Sequence, residues 1–439
     1  MRGAGGAPGN ILLFGAENAV TYNSTWRPTM STQQPISRSI YNFQAALREN
    51  GSSLEEFVRN QYVNKWMGDT VHHVMAIRTT FVNAMHNFLT NEGLFNMERV
   101  SLSPVTDPLA HDVEHTPSVT YKGHEYMTTH SMIYSKFLAC FNPAVKGIFV
   151  DSPNIRLELE SPTGTQRGRY LVDFSQMDIE LRRENQVSLD DYLHATDRVT
   201  ALIHEDFEKA LSFFERLIIH TISAVVERNE ENLRALGIVF EVPKGPFPRF
   251  RKDQARSLAK GTSIERAVGK QAKSQFFWII GLMRENYDLI YPYLKPDGGK
   301  VPIANFTSDM IYNYDLCAQS LNRADNEYGP AYEISSGALR EWLYEPIVER
   351  LIDNRIIAVR PKIENGEIVN VEELDGYGPF LIAAVQKDDD GNPLFPSTFG
   401  GGIGIERALL ALCTGPKVSK VDDITLFGKN PDSHPLYLY

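Results

Sequence analysis

Two blocks of period-two alternation, separated by a long block of helical period, predict an α+β fold: an antiparallel β-sheet flanked by helices, with a helical insertion. The composition agrees: of 439 residues, 42% are hydrophobic and 23% charged, enough apolar surface for a large core and too much for a disordered chain. As a prior, that length corresponds to about two to three domains.

The elements follow in order. Residues 1–35 are rich in Gly, Pro, Ser, Thr and Asn and read as a loose lead. Residues 36–95 read as helices. SSLEEFV places Glu three residues after a Ser, a capping box. Val74, Ile77, Phe81, Met85 and Phe88 then recur at spacings of three and four, one buried helix face. Residues 96–186 turn to a period of two. GIFVDSPNIRLELE, the loop SPTGTQRG and RYLVDFSQMDIELR read as a long hairpin. Residues 187–300 return to helix, and residues 301–439 to strands closed by a helix, ERALLALCTG, that stops at Gly415.

Several classes are excluded or made unattractive. No apolar run of membrane-spanning length occurs, and the first residues make a poor signal peptide. The three cysteines, Cys140, Cys317 and Cys413, lie far apart, so no disulfide framework is expected and a reducing cytoplasm fits. The net charge of −11 disfavours a dedicated nucleic-acid binder without excluding a local basic patch. The eleven histidines show no H-x-x-x-H spacing, and no zinc site is expected.

The hairpin carries the most information. Ile155, Leu157 and Leu159 share one face with Met177, Ile179 and Leu181 as their counterparts on the returning strand. The opposite face bears Arg156, Glu158, Glu160, Gln176, Asp178 and Glu180. Such a face is most often solvated. The sharper reading is a polar floor for a polyanion and its metal, since an arginine fork suits phosphate and carboxylates suit Mg²⁺. Arg167 and Arg169 in the loop would reach a terminal phosphate, and Phe174 would stack under a base. Near the end, STFGGGIGIER runs three glycines and Gly404 into a helix with Arg407 in its first turn. A cation there is unfavourable for the helix dipole, which suggests that Arg407 answers an anion. The run lacks the Lys-[Ser/Thr] ending of a P-loop, and alone it marks only a tight strand-to-helix turn. AYEISSGALRE supplies Glu333, Ser335, Ser336 and Arg340, and IYNYDLCAQ supplies Asp315; Asp315 with Glu333 would hold Mg²⁺. THSMIYSKF supplies His130, Ser131 and Lys136.

Together these residues resemble motifs two and three of the class II aminoacyl-tRNA synthetases, in the aspartate/asparagine branch. DFSQMDIELR is similar to that branch's E-F-T-Q-x-D-x-E, with Asp173 for the usual Glu, and FPRF at Phe247–Phe250 also looks like one of its segments. The H-S-x-x-x-x-K of His130 to Lys136, the E-I-S-S of Glu333 to Ser336 and the T-x-G-G-G-I-G-x-x-R of Thr398 to Arg407 resemble more narrowly the tRNA-independent relatives, the ammonia-dependent asparagine synthetases. The likeness covers roughly residues 70–439, leaving 1–69 as an N-terminal extension and about 187–300 as the helical insertion. The first 95 residues show no five-stranded barrel of the kind that reads anticodons.

What the resemblance implies is an AMP-forming ligase. The β-carboxylate of aspartate attacks the α-phosphate of ATP, and ammonia or another amine then displaces AMP, giving asparagine or an analogue. Arg156 would bridge the α-phosphate and the attacking carboxylate; Arg407 and Arg169 would hold the γ-phosphate end; Glu158 and Phe174 would hold the adenine; Asp315 and Glu333 would hold Mg²⁺. Lys136, Arg340, Ser131, His130 and Gln176 would bind the substrate, with its amine at Asp112 or, second, Asp107. The expected partners are small molecules, with no tRNA and no membrane, in a cytoplasmic homodimer built through a helix like residues 74–92. The alternative implied by the same motifs is an aspartyl- or asparaginyl-tRNA synthetase. A non-catalytic relative would have lost Arg156, Arg407, Asp315 or Glu333, and all four are present.

Overall fold

The computed structural model describes residues 45, 47–48, 51, 53–104, 117–156, 168–185, 187–259, 262–283 and 287–429. The chain divides into two units, Met1–Phe57 and Val58–Tyr439. In the first, Ser53 Oγ accepts a hydrogen bond from the Glu56 amide at 3.0 Å, the cap that the Ser-x-x-Glu spacing predicts.

The second unit is built on an eight-stranded sheet. In chain order its strands are β1 (Phe95–Asn96), β2 (Gly147–Ile155), β3 (Asp173–Arg182), β4 (Arg249–Arg251), β5 (Phe276–Ile280), β6 (Asn313–Ala318), β7 (Tyr332–Leu339) and β8 (Thr398–Gly404). Across the sheet they run β1-β2-β3-β8-β7-β6-β5-β4. The β2-to-β5 stretch of this order is antiparallel throughout, and the two outermost strands, β1 and β4, add in parallel. The antiparallel sheet flanked by helices is therefore the fold the sequence predicts.

Five helices matter for the site: α1 (Asp69–Asn91), α2 (Ile133–Ala139), α3 (Thr196–Arg228), α4 (Ile264–Ala272) and α5 (Ile405–Cys413). The α1 stripe of Val74, Ile77, Phe81, Met85 and Phe88 is buried in the main core, as its spacing requires. Phe214 of α3 meets the Tyr314 ring, which in turn meets Trp278, so α3 covers one face of the sheet. Val268 and Ala272 of α4 pack with Phe277, Ile279 and Cys317 on the other. The sheet is thus covered on both faces, and its polar residues need partners inside the protein.

Two sequence expectations change. Residues 187–300 are helical over Leu189–His194, Thr196–Arg228 and Glu230–Leu236, but β4 and β5 lie in the same span. FFWII in β5 is buried on both faces, and a short continuous apolar run has no period that separates strand from helix. The polar face of β3 is not solvated: Asp178 and Glu180 are as buried as Met177 and Ile179. The hairpin pairing runs from Gly147 opposite Leu181 to Ile155 opposite Asp173. Residues 157–167, with Leu157, Glu158, Leu159, Glu160 and Arg167, lie outside the described residues, as do Asp107 and Asp112.

All three cysteines are buried free thiols. Burial pushes Cys140 and Cys413 up to about 12. At pH 8 only about one such thiol in ten thousand would be thiolate. Native protein incubated with iodoacetamide at pH 8 should therefore show no carbamidomethylation by intact mass, with three additions after unfolding in guanidinium.

Candidate active site

A cavity of about 460 Å³ opens on the α4 face of the sheet, over β3, β8, β7 and β6. It gathers Ser131, Lys136, Arg156, Gln176, Asp315, Glu333, Arg340 and Arg407, residues spread over nearly 280 positions of sequence. Tyr170, Asp178, Glu265 and Tyr287 share its wall.

The deep end holds two buried cations, each answered by a carboxylate of β3. Lys136 Nζ of α2 donates to Asp178 Oδ1 at 2.7 Å, with both side chains about 2% exposed. Arg340 follows β7. Its Nε and Nη2 donate to the two oxygens of Glu180 at 3.3 and 3.4 Å, and its Nη1 to Asp288 Oδ1 at 3.4 Å. Burial works to lower the pKa of Arg340, but the charges of Glu180 and Asp288 outweigh it and raise the pKa, so the group stays cationic. Both carboxylates are themselves anchored: Thr398 Oγ1 donates to Glu180 Oε1 at 2.7 Å, and Asn313 Nδ2 donates to Asp288 Oδ2 at 2.7 Å. Asp178 Oδ2 is buried in the same wall with no donor from the protein.

The glycine run is explained by this arrangement. In β8, Gly400 lies opposite Glu180 and Gly402 opposite Asp178. A Cβ at Gly400 would collide with Glu180 Oε2, and one at Gly402 would sit 2.8 Å from Asp178 Oδ1. Gly401 points to the other face, where a Cβ would meet the Ser336 carbonyl at 2.8 Å and the Phe214 ring at 3.3 Å. The glycines make room for buried carboxylates on one side and close sheet packing on the other.

The shallow end holds the two arginines singled out from the sequence. Arg156 donates through Nε and Nη2 to the His130 carbonyl at 3.1 and 3.0 Å, and its guanidinium lies 5.2 Å from the Phe174 ring centre. Arg407 Nη1 donates to Glu333 Oε1 at 3.4 Å and stacks 4.8 Å from the Tyr170 ring centre. His130 thus meets the site through its main chain, while its ring is buried. Arg169 stacks on Tyr170 and Tyr332 just behind the wall. Glu406, the neighbour of Arg407, faces the scaffold: it accepts from Arg78 of α1 at 3.2 Å and from the Ser175 amide at 2.9 Å.

Asp315, Glu333 and Glu265 line the same cavity, and Glu265 Oε2 is buried without a donor. Among the described residues no three metal-ligating side chains converge on one point. Carboxylates offered singly fit Mg²⁺, which keeps its waters and shares phosphate oxygens rather than sitting in a protein cage.

Asp178, Glu180, Asp288, Tyr170 and Glu265 were not among the site residues read from the sequence. Asp178 and Glu180 were visible as a polar strand face. Asp288 comes from ENYDLIYPYL, where nothing in the local pattern distinguishes it.

A family model described as tRNA synthetases class II (D, K and N) matches residues 53–431. The chain belongs to this family. The aspartate–tRNA(Asp) ligase of Thermococcus kodakarensis is 33% identical over 150 residues, covering 34% of this chain and 32% of that protein. The aspartate–tRNA(Asp) ligase of Pyrococcus furiosus is 24% identical over 281 residues, 63% of this chain and 56% of that protein. The chain thus spans about half, or less, of the length of the curated relatives it matches. In fold it is similar to the asparaginyl-tRNA synthetase of Pyrococcus horikoshii in complex with asparaginyl-adenylate, with a TM-score of 0.60 and 14% identity over 89% of this chain and 74% of that one. The Entamoeba histolytica asparaginyl-tRNA synthetase aligns with a TM-score of 0.57, 15% identity, and 90% and 74% coverage.

These findings correct the expectation that tRNA is not a partner. The curated relatives are named as ligases of tRNA(Asp) or tRNA(Asp/Asn). That expectation rests on the lack of a five-stranded barrel in the first 95 residues and on His130 and the Ser335-Ser336 pair; of these three side chains only Ser336 lines the cavity, and they carry no information about a nucleic-acid partner.

Two stability predictions follow from the deep end. Lys136→Met leaves Asp178 buried and uncompensated, so urea unfolding should show a loss of about 3–5 kcal/mol. Gly400→Ala forces Glu180 off Arg340 and should lower stability by about 1–3 kcal/mol in the same assay.

Proposed function

We propose that this chain carries the aminoacyl-adenylate and tRNA-transfer chemistry of an aspartate- or asparagine-type tRNA ligase. The observation that carries the reading is that Arg156 and Arg407 open onto one cavity, with Lys136 and Arg340 at its other end. An adenylating site needs cations at both ends, because two anions must meet.

In the first step the amino acid's α-carboxylate attacks the α-phosphorus of ATP. A C(O)O–P bond forms, the bond to the β-phosphate's bridging oxygen breaks, and pyrophosphate leaves with the electron pair. Two unit charges about 4 Å apart repel by about 4 kcal/mol at an effective dielectric of 20. Arg156 would lie between the reacting carboxylate and the α-phosphate and cancel that repulsion. Arg407 would hold the tail, and Phe174 would support the base. Mg²⁺ held by Asp315, Glu333 and the phosphates would draw charge toward the leaving pyrophosphate. Lys136 and Arg340 present donors to the side-chain oxygen of the substrate. Asp178 Oδ2, buried without a donor, would accept from a substrate N–H. In the second step a terminal ribose hydroxyl of tRNA attacks the acyl carbon, its proton is lost, and AMP departs. No protein nucleophile is required, so positioning and charge stabilisation supply the acceleration.

The test is ATP–pyrophosphate exchange dependent on aspartate or asparagine, followed by charging of total tRNA with the labelled amino acid. Exchange and acylation are both expected. Arg156→Ala should lower exchange by at least about 100-fold at unchanged thermal midpoint. Exchange close to the parent rate in that variant, or AMP release with no acylated tRNA, would reject the assignment.

A further inference from the structure

Behind the shallow end of the cavity, cationic and aromatic side chains alternate. Arg407 lies 4.8 Å from the Tyr170 ring centre, Arg169 lies 5.5 Å from that ring and 5.0 Å from Tyr332, and Arg266 of α4 lies 5.8 Å from Tyr332. The five residues come from α5, β7, α4 and the turn that precedes β3, so no local pattern joins them. Three guanidinium groups held this close repel one another. Arg169 is buried, and its Nε has no acceptor from the protein. The two tyrosine rings supply the π faces that compensate.

The central ring is fixed in place. The Val421 amide donates to the Gly168 carbonyl at 2.8 Å, and the Val172 amide donates to the Lys429 carbonyl at 2.8 Å. Lys429 Nζ also pairs with Asp173 at 2.7 Å. Residues two before and two after Tyr170 are therefore tied to the segment that follows α5. Tyr170 itself lines the cavity beside Arg407.

We propose that Tyr170 is a positioning residue for the triphosphate: its ring holds Arg407 and Arg169 side by side as a preformed cationic wall, the aromatic face rather than the hydroxyl being what matters. This rests on the reading of the cavity as an ATP site. Without the ring, Arg407 keeps only Glu333 and would swing toward that carboxylate and away from the phosphate end, while Arg169 keeps only Tyr332. Preorganisation lost in this way appears as weaker ATP binding with little change in amino-acid binding.

The experiment is calorimetric titration of the full chain with Mg²⁺-ATP, alongside KM values from pyrophosphate exchange, for Tyr170→Leu and Tyr170→Phe. Tyr170→Leu is expected to weaken ATP binding about tenfold while the KM for the amino acid stays within about twofold, and Tyr170→Phe is expected to restore ATP affinity to within about twofold of the parent. Unchanged ATP affinity in Tyr170→Leu overturns the proposal. So does equal damage in Tyr170→Phe, which would assign the effect to the hydroxyl, or a parallel rise in both KM values, which would mark general loss of structure. Parent protein that binds ATP but catalyses no exchange would sink the tRNA-ligase reading alone, since the titration still reads the ring. Parent protein that binds no ATP would overturn both.

Discussion

The site depends on holding two carboxylates of one strand, Asp178 and Glu180, inside the protein, each against a buried cation. An uncompensated ion in such a place costs several kcal/mol even after the surroundings relax. Asp178 is answered by Lys136 and Glu180 by Arg340, with Thr398 completing the second. The two pairs join three chain segments, and Thr398 adds a fourth. The sheet order follows from the same need: β8 can lie beside β3 only because Gly400 and Gly402 present no side chain to those carboxylates. Carboxylates, cations and glycines thus form one solution, and none has a purpose without the others.

From this the division of the cavity follows. The deep end is rigid, because each cation there has a carboxylate partner, and Glu180 and Asp288 are held in turn by Thr398 and Asn313. The shallow end is held more lightly. Arg156 rests on a main-chain carbonyl and a ring, and Arg407 on one 3.4 Å contact and a ring. Groups held by such weak contacts can exchange them for a phosphate at small cost, whereas Lys136 and Arg340 cannot leave their carboxylates. Under the proposed function, such a site would offer the amino acid a rigid end and the nucleotide an end that adapts to it.

Much of this was legible in the sequence. The period of the residues that became β3, together with the Gly run and Arg407, pointed to a polar floor and a cation beside it, because strand alternation and glycine runs are local signals. The burial of that floor was not legible, since alternation alone is the same for a wet face and for one covered by α2 and α4. Asp288 was invisible for a related reason. Its role is set by Arg340 and Asn313, one 52 residues away and the other 25, and nothing near it in sequence records either. β5 was misread because an apolar run buried on both faces has lost the alternation that identifies a strand.

The error over tRNA has a different origin. Pocket residues report what a pocket binds, and a transfer enzyme's second substrate approaches only the mouth. His130 illustrates the point: it meets the site through its carbonyl, on Arg156, and any residue could supply that carbonyl. A substitution at such a position is silent about the acceptor. The net charge of −11 is equally silent, since it sums the whole chain, and a contact with a phosphate backbone is decided by a local patch. Evidence about the acceptor must come from features that the acceptor touches, which is why a likeness over 281 residues to a ligase of tRNA(Asp) weighs more than His130 and the Ser335-Ser336 pair.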